Sequence, residues 1–382
     1  KQKTAYEIGV RLVGSEMCIR DRVRLDQIFV DFLRTGDETL YKRLEHARAH
    51  PDELPPKDDS ALLIEIAPWV EDFIARLFNI ETEVQQLAAK HHELAPLYFC
   101  KRQFVQRRAK GKVSDEELAR IDGLALEKEL AAEFGGTFSE LVFATNVTQW
   151  MDAEAENELR LNKALHYAAW ALRTSAGQQH TQQGILFKSP AKLDFQHLLS
   201  LDTDESAGYL VHRLGHLRER NGFALTDAGT DLMGALDEAN YCIWCHEQGK
   251  DSCARGLPEK KPNPGEAPFR KSPFHVPLAG CPLDERISEF HKLRADGWAI
   301  GALATICVDN PMAAGTGHRI CNDCMKSCIY QKQDPVDIPQ SETRVLKDVL
   351  ALPYGFEIYS LLTRWNPLSL RRWLPRQATG KR

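Results

Sequence analysis

Apolar residues recur at three- and four-residue steps through the first half of the chain. Leu25, Ile28, Phe29 and Phe32 follow that spacing until Gly36 stops it, which predicts a helix. Leu62, Leu63, Ile66, Val70, Phe73, Ile74 and Leu77 repeat the pattern, with Pro68 expected to kink or restart the helix. Between them, the polar, proline-rich residues 51–58 read as a linker. Ser114-Asp-Glu-Glu117 has the form of a capping box opening a further helix. Phe138, Leu141, Val142, Leu159, Leu165, Ala168, Trp170 and Leu172 carry the helical spacing to about Thr174. No useful run of alternating apolar and polar residues precedes residue 180, and 175–200 reads as a loop or crossing strand.

The second half is more broken. His212 and His216 lie four apart on a segment expected to be helical, yet Arg213, Arg218 and Arg220 would repel a cation there. Residues 232–240 predict a helix. Residues 254–280 carry six prolines among lysines and glycines, as an exposed insertion would. Pro282, Asp284 and Glu285 suit a first helical turn, so a helix is expected over 284–295, broken at Asp296-Gly297 and followed by a second over 298–306. Asp309-Asn310-Pro311 is a turn.

Composition narrows the class. With 43% hydrophobic and 27% charged residues, a chain of 382 can build a proper core. A net charge of −5 argues against a nucleic-acid binder. No apolar run reaches the length of a membrane span, and no secretory leader is visible. Cysteines without an export signal favour metal binding over disulfides and point to a reducing cytoplasm.

Eight of the ten cysteines fall between Cys242 and Cys328. Cys242-Ile-Trp-Cys245 and Cys321-Asn-Asp-Cys324-Met-Lys-Ser-Cys328 have gaps that let several thiolates converge on one centre. Cys281-Pro282 is the pair on which bacterial cluster runs end. Two iron–sulfur clusters need about eight ligands, and removing Cys18 and Cys100 leaves eight cysteines. Cys100 stands among apolar and basic neighbours as a buried structural thiol, and Cys307 sits near the end of an apolar helix as core. Structural zinc on Cys242, Cys245, Cys321 and Cys324 is the alternative, although its two pairs lie far apart and it leaves Cys253, Cys281 and Cys328 without a role. The basic run Lys101–Lys110 reads as a solvated helix face, or as a contact for an acidic partner or a phosphate.

From about Asp237 to Arg372 these blocks resemble the N-terminal helical two-[4Fe-4S] domain of the glutamate synthase small subunit and dihydropyrimidine dehydrogenase family, FAD-dependent pyridine nucleotide oxidoreductases. The resemblance rests on Cys242, Cys245, Cys253 and Cys281-Pro282, the Asp309-Asn310-Pro311 turn, Gly317-His-Arg319-Ile-Cys321 with Cys324 and Cys328, and the tail Val336 to Glu342. It implies one cluster on Cys242, Cys245, Cys253 and Cys328, and another on Cys281, Cys321, Cys324 and Glu342. It also implies an α-helical ferredoxin-like two-cluster domain over 201–350, which joins the helical domain that apolar spacing gives over 23–200 in a mainly α fold. Electron transfer would then run from NAD(P)H through FAD on a downstream flavin-binding domain, which residues 351–382 would join, and on to a partner redox subunit. The zinc alternative implies a non-redox interaction module.

Residues 1–22, which include Cys18, resemble a translated sequencing adapter, and the chain reads as a fragment of that enzyme. The apolar residues Leu361 to Trp365 are then expected to lie exposed, against the missing domain. No Gly-x-Gly-x-x-Gly run and no nucleophile–base constellation is present.

Overall fold

The computed structural model describes residues 19–198, 201–206, 208–209, 211–214, 220–225, 227–261 and 268–370. Cys18, His216 and the last twelve residues, to which some of the expectations above refer, lie outside that range. The fold is mainly helical. The chain opens with α1 (Ile19–Gly36), α2 (Glu38–Ala49) and α3 (Pro56–Phe78). Leu25, Phe29 and Leu33 put one buried stripe on α1, as their spacing requires. Asp37 caps α2 by accepting the Leu40 N–H at 2.8 Å. Pro68 does not interrupt α3, which runs on to Asn79 in the left-handed region.

Helix α4 (Glu81–Cys100) passes directly into a π-helical stretch, Lys101–Ala109. The capping box is formed: Ser114 Oγ accepts the Glu117 N–H at 3.2 Å, and Glu117 Oε2 accepts the Ser114 N–H at 2.9 Å. It opens only a single turn, Asp115–Leu118. Then come α5 (Gly123–Glu133), α6 (Glu140–Asp152), α7 (Glu158–Arg173) and the short α8 (Ser175–His180). Strands β1 (Leu201–Asp204) and β2 (Val211–Leu214) form an antiparallel ribbon with Thr203 opposite His212. The helix expected at His212 is therefore a strand; so short a segment carries no periodicity that separates the two.

The last part contains α9 (Leu232–Tyr241), α10 (Ile287–Ala295), α11 (Ala299–Asp309), α12 (Ile338–Leu350) and α13 (Gly355–Leu362). Helix α10 begins later than the sequence suggests because Asp284 has φ +52°, which no helical first turn accepts. The Arg286 N–H is taken instead by Asp309 Oδ2 at 3.1 Å.

Two hydrophobic cores result. One is built by α4 to α7 around Phe104, Phe143 and Tyr167. The other joins α1, α2 and α3 to the cysteine-bearing region, so Leu25, Phe29 and Ile66 share a core with Cys242, Cys253, Cys324 and Cys328. The helical stretch 23–200 thus contributes to both. Leu361, Leu362, Trp365 and Leu368 are buried in the second of these cores, not exposed. Trp365 packs against Phe29 and Phe73 with ring centroids 6.0 and 5.8 Å away, and its Nε1–H donates to Asp26 at 3.2 Å. An indole of that size is better buried here than left for an outside surface.

A buried carboxylate fixes α3 to α11. Glu71 Oε2 accepts the Ile300 and Gly301 N–H groups at 2.8 and 3.1 Å, satisfying donors at the helix N-terminus. Gly301 is needed there, since a Cβ would meet the Ala67 carbonyl oxygen at 3.0 Å. A buried Arg294–Asp348 ion pair ties α10 to α12, and Arg344 adds a second contact to Asp348 at 2.7 Å. No helix among the described residues is long and apolar enough to cross a membrane.

Candidate functional site

The cysteine region is positioned by a close backbone crossing. Residues 254–280 leave Cys253 and return to Cys281, and the Cys281 N–H donates to the Cys253 carbonyl at 2.7 Å. The base of this excursion is glycine-packed. Gly256 has φ +79° and Gly280 φ +85°, and a Cβ on Gly280 would lie 2.4 Å from the Ala254 oxygen. The Gly280 N–H is held by Ser327 Oγ at 2.9 Å, one residue before Cys328. Cys253, Cys281 and Cys328, distant in sequence, are thus drawn toward one crossing.

All nine described cysteines are free thiols. They fall into two sets, with Cys100 and Cys307 apart in helix cores. Cys242, Cys245, Cys253 and Cys328 line one cavity of about 10 Å³, with Ile243, Ile287, Ile338 and His291 among its apolar and polar walls. That is room for about one water. A hydrogen bond links the Cys253 and Cys328 thiols and favours the charged form of Cys328 while holding the proton on Cys253. Burial pushes Cys242 above the ordinary thiol range and Cys245 up to about 11. Tyr241 and Tyr330 stack at 4.6 Å beside this set.

The second set is graded in exposure: Cys324 buried, Cys281 half-buried, Cys321 exposed. Burial lifts Cys281 to about 11, with the Glu285 and Cys321 charges adding to it, and pushes Cys324 above the ordinary thiol range, with the Cys281, Glu285 and Glu342 charges adding to it. Glu342 accepts from Asn310 Nδ2 at 2.9 Å and is pushed up to about 8, by burial first and by Glu285 second. Burial lifts Glu285 to about 7. Burial likewise lifts Cys307 to about 12, with the Glu342 charge adding to it.

Of the eight residues assigned from the sequence, Cys242, Cys245, Cys253 and Cys328 line one cavity together, and among the described residues no three of the eight are placed as ligands of one metal ion. Glu285 and His291 were missed. Glu285 follows Cys281 by four residues and reads equally well as a helix-start acid. His291 is a single histidine on an apolar helix face, and no spacing marks it.

With the geometry in place, the relatives can be set beside it. Residues 22–79 match the family described as the RP005 N-terminal alpha-helical domain. The chain is 32% identical over 298 residues to the "Uncharacterized protein RP005" of Rickettsia prowazekii (strain Madrid E), covering 76% of this chain and 98% of that protein. It belongs to the RP005 family. Over 69 residues it is 65% identical to the "Uncharacterized protein RP006" of the same organism, which is 18% of this chain and a tenth of that protein's length. No solved structure matches.

These matches correct the resemblance to the glutamate synthase small subunit and dihydropyrimidine dehydrogenase family, since none of them is to that family. The description as an iron–sulfur oxidoreductase of the α-helical ferredoxin type falls with it, as does the reading of the chain as a fragment of that enzyme. Among the described residues, no three His, Cys, Asp or Glu are placed to hold a metal ion, so a ready-formed metal centre is also corrected. The physical reason is local: the cavity that four of the thiols share is about 10 Å³, far too small for a four-iron cluster.

Proposed function

We propose that the chain is a thiolate scaffold. Cys242, Cys245, Cys253 and Cys328 take up one thiophilic inorganic group supplied from outside, and Cys281, Cys321 and Cys324 with Glu342 take up another. One observation carries this reading: four free thiols, from the Cys242–Cys245 stretch, Cys253 and Cys328, line a single cavity and form no disulfide. Buried thiols brought together without a bond between them are costly to keep as charges and gain most when a soft cation neutralises them.

Loading has a clear chemical demand. Most of these thiols are held protonated by burial, so each must release its proton to become a ligand, and affinity rises with pH. Cys328, already favoured as thiolate, is the natural first contact. Filled with zinc, the chain is a stapled interaction module. The free thiols fit a reducing cytoplasm.

The test is anaerobic purification of the full chain, with metal analysis, beside Cys242→Ser/Cys328→Ser and Cys281→Ser/Cys324→Ser. The scaffold reading expects each pair of substitutions to remove about half of the bound metal. Zinc bound through the thiols identifies the module. A wild-type chain that takes up no metal, even after anaerobic reconstitution, contradicts the reading.

A further inference from the structure

His291 lies on the buried face of α10, fully enclosed, with its ring beside Phe290 at a centroid distance of 4.4 Å. It lines the same cavity as Cys242, Cys245, Cys253 and Cys328. Neither Nδ1 nor Nε2 has a hydrogen-bond partner. A neutral imidazole carries one N–H, and buried donors are almost always satisfied, so an orphan of this kind marks a missing acceptor. Nearby groups settle the ring's charge: burial and the Arg294 guanidinium push it down to about 3, leaving a neutral donor at ordinary pH. His246, by contrast, is engaged, with Nδ1 2.7 Å from Ser288 Oγ. The remaining walls near His291 are isoleucines, a valine, Tyr330 and the four sulfurs.

We infer that His291 is a positioning residue of the four-thiol site, whose ring N–H donates to a cysteine sulfur once that sulfur is a charged ligand. The inference rests on the scaffold reading above and adds an outer partner to it. Protonated thiols accept hydrogen bonds weakly, whereas thiolates accept them well, so the bond forms on loading and favours the loaded state. Groups that support a ligand in this way are worth about 10–100-fold in metal affinity.

The test uses cadmium(II) as a thiophilic probe, followed by its sulfur-to-metal absorption and by competition with a chelator. The second set is silenced throughout by Cys321→Ser/Cys324→Ser. His291→Leu is expected to weaken cadmium binding by about 10–100-fold. His291→Gln, which keeps an N–H donor, is expected to restore most of the loss. Far-ultraviolet circular dichroism of the unloaded chains confirms that both variants are folded; if His291→Leu does not fold, His291→Asn beside His291→Gln makes the comparison by donor reach. Equal binding by His291→Leu and the parent overturns the inference, as does a glutamine no better than leucine. A parent chain that binds no cadmium through its thiols overturns the scaffold reading and this inference with it. Binding indifferent to residue 291 overturns the inference alone.

Discussion

The two thiol sets use nearly the same residues in opposite settings. The first has four buried sulfurs in an apolar cavity, a hydrogen-bonded Cys253–Cys328 pair, and an imbedded imidazole without a partner. The second mixes three cysteines of graded exposure with two carboxylates, Glu285 and Glu342, that burial pushes well above the ordinary carboxylate range. The difference teaches that placement governs how a thiol behaves here. In the first set, the cost of charge is met only by an occupant. In the second, solvent at Cys321 and the proton on Glu342 or Glu285 already relieve it.

The sets meet at the Cys253–Cys281 crossing, so the comparison breaks there first. Gly280→Ala places a Cβ against backbone atoms at a φ that side chains rarely adopt. It should destabilise the chain by about 3 kcal/mol and lower metal uptake by both sets together. Chemical denaturation and metal analysis measure this. Loss from one set alone would show that the crossing does not couple them.

Exposure gives the next contrast. In the unloaded chain, iodoacetamide should modify Cys321 at least about tenfold faster than Cys242 or Cys253, because buried thiols react only on local opening. Peptide mass mapping over time reads the order; uniform rates would remove the distinction between the sets.

Acidity comes third. Burial raises Glu71, Glu238 and Glu289 to about 7 and Glu342 to about 8. An unfolded glutamate has released its proton well below pH 6.5, whereas these still hold theirs when folded. The folded state therefore binds more protons than the unfolded state between pH 6.5 and 8, and stability falls as pH rises through that window. His91 and His291, pushed down to about 3, are neutral in the folded state, and unfolded histidines are largely neutral above pH 6.5, so they add little slope there. The unloaded chain should melt several degrees lower at pH 8 than at pH 6.5; a flat or rising profile would oppose this account.

The smallest effect is Glu342→Gln. The Asn310 contact can persist through the amide oxygen while the charge opposing Glu285 is removed. At pH 8 the unloaded chain should gain about 1 kcal/mol, while metal uptake by the second set falls and the first is unchanged. A loss of stability at pH 8 would show that the Glu342 charge is favourable.

Much of this was legible in the sequence. Spacing located α1, α3 and α11 closely, and Ser114 and Glu117 announced their capping box. The grouping of Cys242, Cys245, Cys253 and Cys328, which the family resemblance implied, matches the four thiols that line one cavity. What escaped depended on three-dimensional packing. Trp365 reads as a surface anchor until Phe29 and Phe73, some three hundred residues earlier, are seen to enclose it. Asp284 looks like a helix-start acid, but its positive φ turns the chain instead. His291 carries no pattern at all; its meaning lies in the sulfurs it faces. The family resemblance failed for another reason: short cysteine gaps express what thiolate ligation needs, and such gaps do not by themselves define descent.

The central claim is that sulfur from these cysteines surrounds a bound group. X-ray absorption at the edge of whichever metal the anaerobically purified full chain carries tests it most directly. The account predicts a nearest shell dominated by sulfur, at about 2.3 Å for zinc, lost in Cys242→Ser/Cys328→Ser combined with Cys281→Ser/Cys324→Ser. A nearest shell of oxygen and nitrogen alone, unchanged by those substitutions, would contradict it.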